Sequence, residues 1–107
     1  MKQGDIVIIN YPYSSHRQSK IRPAVVVSNN KFNNGDDVIL VPVTTVMIGK
    51  FRQKIDPTDL EEGLIARESC IHYSNMATIE KSLVLQNVAK LKTKTILQLM
   101  KNVANNF

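Results

Sequence analysis

The stretch Ser15 to Asn30, SHRQSKIRPAVVVSNN, sets a polar, basic run directly against Arg22-Pro23 and four consecutive apolar residues, Ala24 to Val27. An unbroken apolar run followed by Asn29, Asn30, Asn33, Asn34 and Gly35 reads as a strand buried on both faces and then a turn. Pro23 restricts the residue before it to extended backbone, so the guanidinium of Arg22 stands at the rim where loop becomes strand. Working outward, Ile6 to Ile9 is a β-branched run followed by Asn10, Tyr11, Pro12 and Tyr13, which is strand and then turn chemistry. Val38 to Val43 is a third strand. Pro42 inside it donates no ladder hydrogen bond and is therefore expected at an edge or a bulge, which draws attention to Thr44 and Thr45 just beyond.

Further along, Val46 to Arg52 is a Gly-containing basic loop and Gln53 to Ile55 a short strand. Asp56 to Gly63 is an acidic turn region with room for one helical turn. Leu64 to Tyr73 and Met76 to Ile79 read as two further strands or one bent one, and Asn87 to Leu91 as a short closing strand. Ile96, Leu97, Met100, Val103 and Ala104 recur at helical spacing, predicting an amphipathic helix that runs to about residue 105 with Thr93 as its N-cap. Short strands followed by one terminal helix predict a mainly β fold: a small, SH3-like, partly open barrel with a C-terminal α-helix, in a single domain spanning 1–107.

The 107 residues carry a formal charge of +5, unevenly spread. Lys81, Lys90, Lys92, Lys94 and Lys101 are the ionisable side chains after Glu80, while acids gather between Asp56 and Glu68. A basic surface attracts polyanions, of which nucleic acid is the commonest large one. No apolar run reaches the roughly 18 residues a membrane span needs, and no leader pattern stands at the start, so a soluble cytoplasmic protein with no membrane partner is expected. The lone Cys70 reads as a small buried hydrophobe in a strand. With His16 and His72 as the two histidines and no CxxC or HxxxH spacing, neither a metal site nor any other cofactor is expected. Walker, Rossmann and GxSxG patterns are absent, which argues against nucleotide-driven chemistry and serine hydrolysis.

What remains is a set of polar residues at strand ends. The rigid five-donor fork of Arg22 suits a phosphate, and a transferring phosphoryl group needs fixed positive charge as its oxygens gain negative charge. His16 titrates near neutrality and qualifies for proton transfer.

Four blocks in order, GDIV at Gly4 to Val7, His16 with Gln18 and Arg22-Pro23 ahead of AVVVS, PVT at Pro42 to Thr44, and TIEK at Thr78 to Lys81, resemble the MazF/PemK/Kid family of toxin ribonucleases over nearly the whole chain. The resemblance implies a symmetric homodimer that cuts single-stranded RNA, chiefly mRNA, without metal, and that a cognate antitoxin protein neutralises. It assigns Arg22 to phosphate charge and proton donation, Thr44 to binding the scissile phosphate through its hydroxyl, and His16 to a loop histidine found in some members. The reaction it implies is attack of the 2′-OH on the adjacent phosphate, leaving a 2′,3′-cyclic phosphate and a 5′-OH. This chain departs from the family at one point: where many relatives carry an acid followed by Gln, it has Ser74 and Asn75, so proton abstraction falls to His72 or His16. Asn75 and Ser74 retain a place in substrate binding, since amides read the edges of unpaired bases.

On this reading the polar run is a lid over a groove. Arg17, Gln18 and Lys20 grip RNA, Lys50, Arg52 and Lys54 continue the basic track, and Tyr11, Tyr13 and Phe51 are available for base stacking or for packing. Two other classes compete: a CcdB-like toxin that binds DNA gyrase and cuts nothing, disfavoured by the absence of Trp, and a non-catalytic SH3-like RNA-binding module.

Overall fold

The apolar run after Arg22-Pro23 is a strand buried on both sides, and the reason is visible in what covers each face. The computed structural model describes residues 1–11, 20–65 and 67–107, with Tyr11 and Lys20 described by their backbone. In β2 (Lys20–Val26), Val25 belongs with Val27 to the larger core, while Ala24 and Val26 point into a second, smaller one. The neighbours divide in the same way. In β1 (Asp5–Tyr11), Ile6 faces the first core and Val7 and Ile9 the second; in β3 (Asp37–Thr44), Val41 and Val43 face the first and Val38 and Leu40 the second. Successive side chains alternate across a strand, so two apolar environments replace the usual apolar-polar alternation with an unbroken apolar run.

Eight strands join one antiparallel sheet among the described residues. The others are β4 (Arg52–Ile55), β5 (Leu60–Gly63), β6 (Ser69–His72), β7 (Ala77–Glu80) and β8 (Val84–Leu91), and the order is β4-β6-β3-β2-β1-β8-β5, with β7 on β3. The sheet curls into a partly open barrel with β4 and β5 at its ends. One face is covered by the helix α2 (Thr93–Asn106), through Leu99 with Ile96, Met100 and Val103. The other closes over Ile79, Ala77 and Val84. This is the mainly β architecture with a terminal helix that the sequence predicts, and among the described residues no helix is long and apolar enough to cross a membrane.

Several local expectations are corrected. Pro42 lies at neither an edge strand nor a bulge: β3 pairs with β2 on one side, and on the other with β7 through Asp37 to Leu40 and then with β6 from Val43. Val27 N donates to Ile39 O at 2.9 Å, which sets the odd residues of β3 towards β2 and the even ones away. The nitrogen of Pro42 therefore faces the interval between β7 and β6, where no donor is required. The Asn-rich segment is more than a turn, for it contains the short helix α1 (Asn30–Asn33), capped by Asn29, whose Oδ1 accepts from Phe32 N at 3.0 Å. Thr93 opens α2 but does not cap it; Lys92 occupies the cap position, and the helix start is tied instead to Asp59, whose oxygens accept from Lys92 N and Thr95 Oγ1, each at 2.8 Å. The strand expected over Leu64 to Tyr73 is confined to β6. The acidic segment adds a strand, β5, whose Glu61 and Glu62 are exposed on the sheet's open edge, where charge discourages pairing with other chains. Cys70 is fully buried in β6, as expected.

Candidate active site

Pro23 opens the site by what it lacks. Since odd residues of β2 bond towards β3, Pro23 falls at a bonded position opposite Val43 but has no N–H to give, and the ladder stops at Ala24–Pro42. Beyond that pair lies a cleft of about 210 Å³ lined by Arg22, Pro23, Val43, Thr44, Thr45 and Ser69. Arg22 and Thr44, 22 positions apart in sequence, thus share one cleft. Thr44 Oγ1 accepts from Val46 N at 3.1 Å, which leaves its own proton to donate. Ser69 Oγ donates to Arg67 O at 3.1 Å and had no signal in the sequence.

The same face of the sheet continues away from the cleft. Thr44 pairs with Cys70 and Cys70 with Lys54, giving one cross-strand row; the next row along pairs His72 with Arg52. Two residues of strand separate the rows by about 7 Å. Met47, on the loop between β3 and β4, covers Cys70 with its Sδ 3.5 Å from the thiol. That loop also explains Gly49, a residue sequence reasoning passed over: at φ 137°, a β-carbon there would lie 2.5 Å from Arg52 Nε and 3.1 Å from Nη2. The backbone crosses directly over the guanidinium, and Arg52 Nε is buried without a partner among the described residues.

His72 is half-buried, with Nε2 3.1 Å from Ser74 Oγ. Burial, and secondarily the Arg52 charge, hold its pKa below the ordinary imidazole value of 6.5, so the ring is neutral at physiological pH and keeps one nitrogen lone pair. Ser74 and Asn75 are exposed on the turn after β6, where Asn75 N donates to His72 O at 3.3 Å. Arg52, His72 and Ser74 therefore form a second group beside the Arg22–Thr44 cleft. His16, Arg17, Gln18 and Tyr13 lie outside the described residues, as do the side chains of Lys20 and Tyr11. Phe51 turns to the α2 side, against Tyr73 and Phe107. Among the described residues, no three of His, Cys, Asp and Glu cluster where they would hold a metal ion.

The depressed pKa has a consequence for stability. The unfolded chain binds the His72 proton more readily than the folded one, so stability is level above about pH 6.5 and declines as pH falls from there through the folded-state value. Urea midpoints measured at about pH 7.5 and 5.5 are expected to converge when His72 is replaced by Gln. An undiminished pH difference in that variant would show that another group carries it.

The sequence matches the family described as PemK-like, MazF-like toxin of type II toxin-antitoxin system over residues 2–107, and the chain belongs to that family. Among solved structures, a toxin MazF-mt6 from Mycobacterium tuberculosis superposes with a TM-score of 0.75 at 17% identity, covering 94% of this chain and 93% of the other. An endoribonuclease in complex with its cognate antitoxin from a mycobacterial species gives 0.79 at 19%, covering 98% and 92%. MazF from Deinococcus radiodurans gives 0.73 at 16%, covering 98% and 94%. At these identities the likeness is one of fold. Among curated proteins nothing matches.

Proposed function

We propose that this chain is the toxin of a toxin-antitoxin pair and a sequence-selective endoribonuclease that cuts single-stranded RNA, chiefly mRNA, in the cytoplasm. The reading rests above all on Arg22 and Thr44 lining one open cleft. In it the scissile phosphate sits between them, the guanidinium fork taking the charge that develops on the phosphoryl oxygens and the Thr44 hydroxyl donating to a non-bridging oxygen. The 2′-OH attacks the adjacent phosphorus, its proton passing to a neutral imidazole, and the 5′-oxygen leaves with a proton supplied from the Arg22 side; the products are a 2′,3′-cyclic phosphate and a 5′-OH. His72 serves as the base, with Ser74 orienting the ring through Nε2 so that Nδ1 carries the lone pair. His16 is the alternative base. The reaction is metal-independent.

Arg52 and Lys54, on the same face, extend the positive track along the RNA backbone with Arg17, Gln18 and Lys20, and Asn75 reads a base edge. The neighbour solved with its cognate antitoxin supports an antitoxin partner here, whose acidic or amphipathic tail occupies this groove, and the family supports a homodimer.

Incubating purified RNA with the protein in excess chelator tests the proposal. Discrete fragments with cyclic-phosphate and 5′-OH ends are expected. RNA bound but left intact would favour a binding module, and intact, unbound RNA would favour a toxin acting on a protein target.

A further inference from the structure

The residues flanking Arg52 and His72 are held from the far side of the sheet by the last turns of α2. Along β4 and β6 the even-numbered residues, Arg52, Lys54, Cys70 and His72, face the cleft side, and the odd-numbered ones face α2. Three rings meet there. Phe51 lies 5.4 Å from Phe107 and 6.2 Å from Tyr73, and Tyr73 lies 6.2 Å from Phe107, by ring centroids. Tyr73 N donates to Phe51 O at 3.1 Å. On the other side of Arg52, Gln53 accepts from Asn102 Nδ2 at 2.9 Å and donates to Thr95 O at 3.3 Å.

Two further observations make this more than packing. Phe51 has φ 59°, a left-handed conformation that a bulky side chain adopts only when its surroundings impose it. Phe107 is 65% exposed, so its ring adds little to the core while still covering Phe51 and Tyr73. Its backbone is fixed by the bond from its N–H to Val103 O at 3.0 Å, on a helix whose inner face is anchored in the larger core.

We propose that Phe107, seconded by Asn102, is a positioning residue: it locks Phe51 and Tyr73 from the helix side and thereby holds Arg52 against His72 on the cleft face. The claim for catalysis rests on the nuclease reading above; the claim for geometry does not. Among the described residues Arg52, from β4, is the charged side chain that acts on His72, and the position facing His72 on β3, one step beyond the Val43–Ile71 pair, is the uncharged Pro42.

The test is an NMR titration of the His72 ring in the wild type, Phe107→Ala and Phe107→Tyr, with single-turnover RNA cleavage on the same samples. In Phe107→Ala the midpoint is expected to rise towards 6.5 as the ring loses both burial and the close guanidinium. The cleavage rate at saturating RNA falls about tenfold with KM little changed, because the proposed base His72 has been misplaced while Arg52 is one of several cations along the RNA backbone. Phe107→Tyr, which keeps the ring, restores both. A folded Phe107→Ala protein whose His72 titrates as in the wild type overturns the proposal. Should that variant fail to fold, Asn102→Ala, which removes the bond to Gln53 together with the one accepted from Gln98, has to move the midpoint the same way, and an unmoved midpoint there is equally decisive. If the wild type cuts no RNA, the nuclease reading fails and the His72 midpoint alone decides the positioning role.

Discussion

Arg22→Ala is expected to lower the single-turnover rate of RNA cleavage by about two to four powers of ten, the range over which fixed donors and proton-transfer groups act, and to relieve growth inhibition accordingly. The protein should stay folded. Arg22 lies within β2, paired with Ile9, on the rim of the cleft and outside both cores, and the strand is secured by Val25 and Val26, which are almost wholly buried. Arg22→Lys is the sharper comparison. It keeps the charge but replaces a planar fork, able to grip two phosphate oxygens together, with a single flexible ammonium, so it should recover only a small part of the lost rate. Full cleavage by a folded Arg22→Ala protein would remove Arg22 from the chemistry.

The largest effect on stability is expected at a glycine far from the cleft. Gly63 has φ 81°, and a β-carbon there would lie 2.2 Å from Val88 O and 2.7 Å from Ala89 Cα. Both are backbone or backbone-bound atoms of the strand that Gly63 pairs with, so no side chain can swing aside. Gly63→Ala must push β5 away from β8, loosening Leu60, which is buried against the core beside Leu91. Strain from the positive φ and overpacking together should cost about 3 kcal/mol, read as a lower urea midpoint. Gly35→Ala is the control. Its nearest contact would be Phe32 O at 3.4 Å, an ordinary approach, and its effect should stay within about 1 kcal/mol. Equal losses in the two variants would show that β5 does not depend on Gly63 for its place.

Which strands exist was legible from the apolar runs at Ile6 to Ile9, Ala24 to Val27 and Val38 to Val43, because burial on either face requires apolar residues there whatever the topology. The terminal helix was legible from its 3.6-residue spacing. β5 escaped because its exposed glutamates read as turn residues, and the edge that tolerates them exists only once β8 is beside it. Pro42 was misplaced for a related reason: one sequence does not show that a strand changes partners halfway along.

The candidate site divides along the same line. Arg22, Thr44, Ser74 and His72 could be named in advance, the first because proline fixes its backbone, the others through family resemblance. The pairing of Arg52 with His72, the passage of Gly49 over the guanidinium and the hold of Phe107 on both flanks could not. The order of apolar and breaker residues along this chain determined by itself which segments become strands and which the helix, since those preferences are local. Which side chains meet was decided by register and curl, since a one-residue shift in strand pairing carries every side chain to the opposite face, and only the packed sheet selects among the registers.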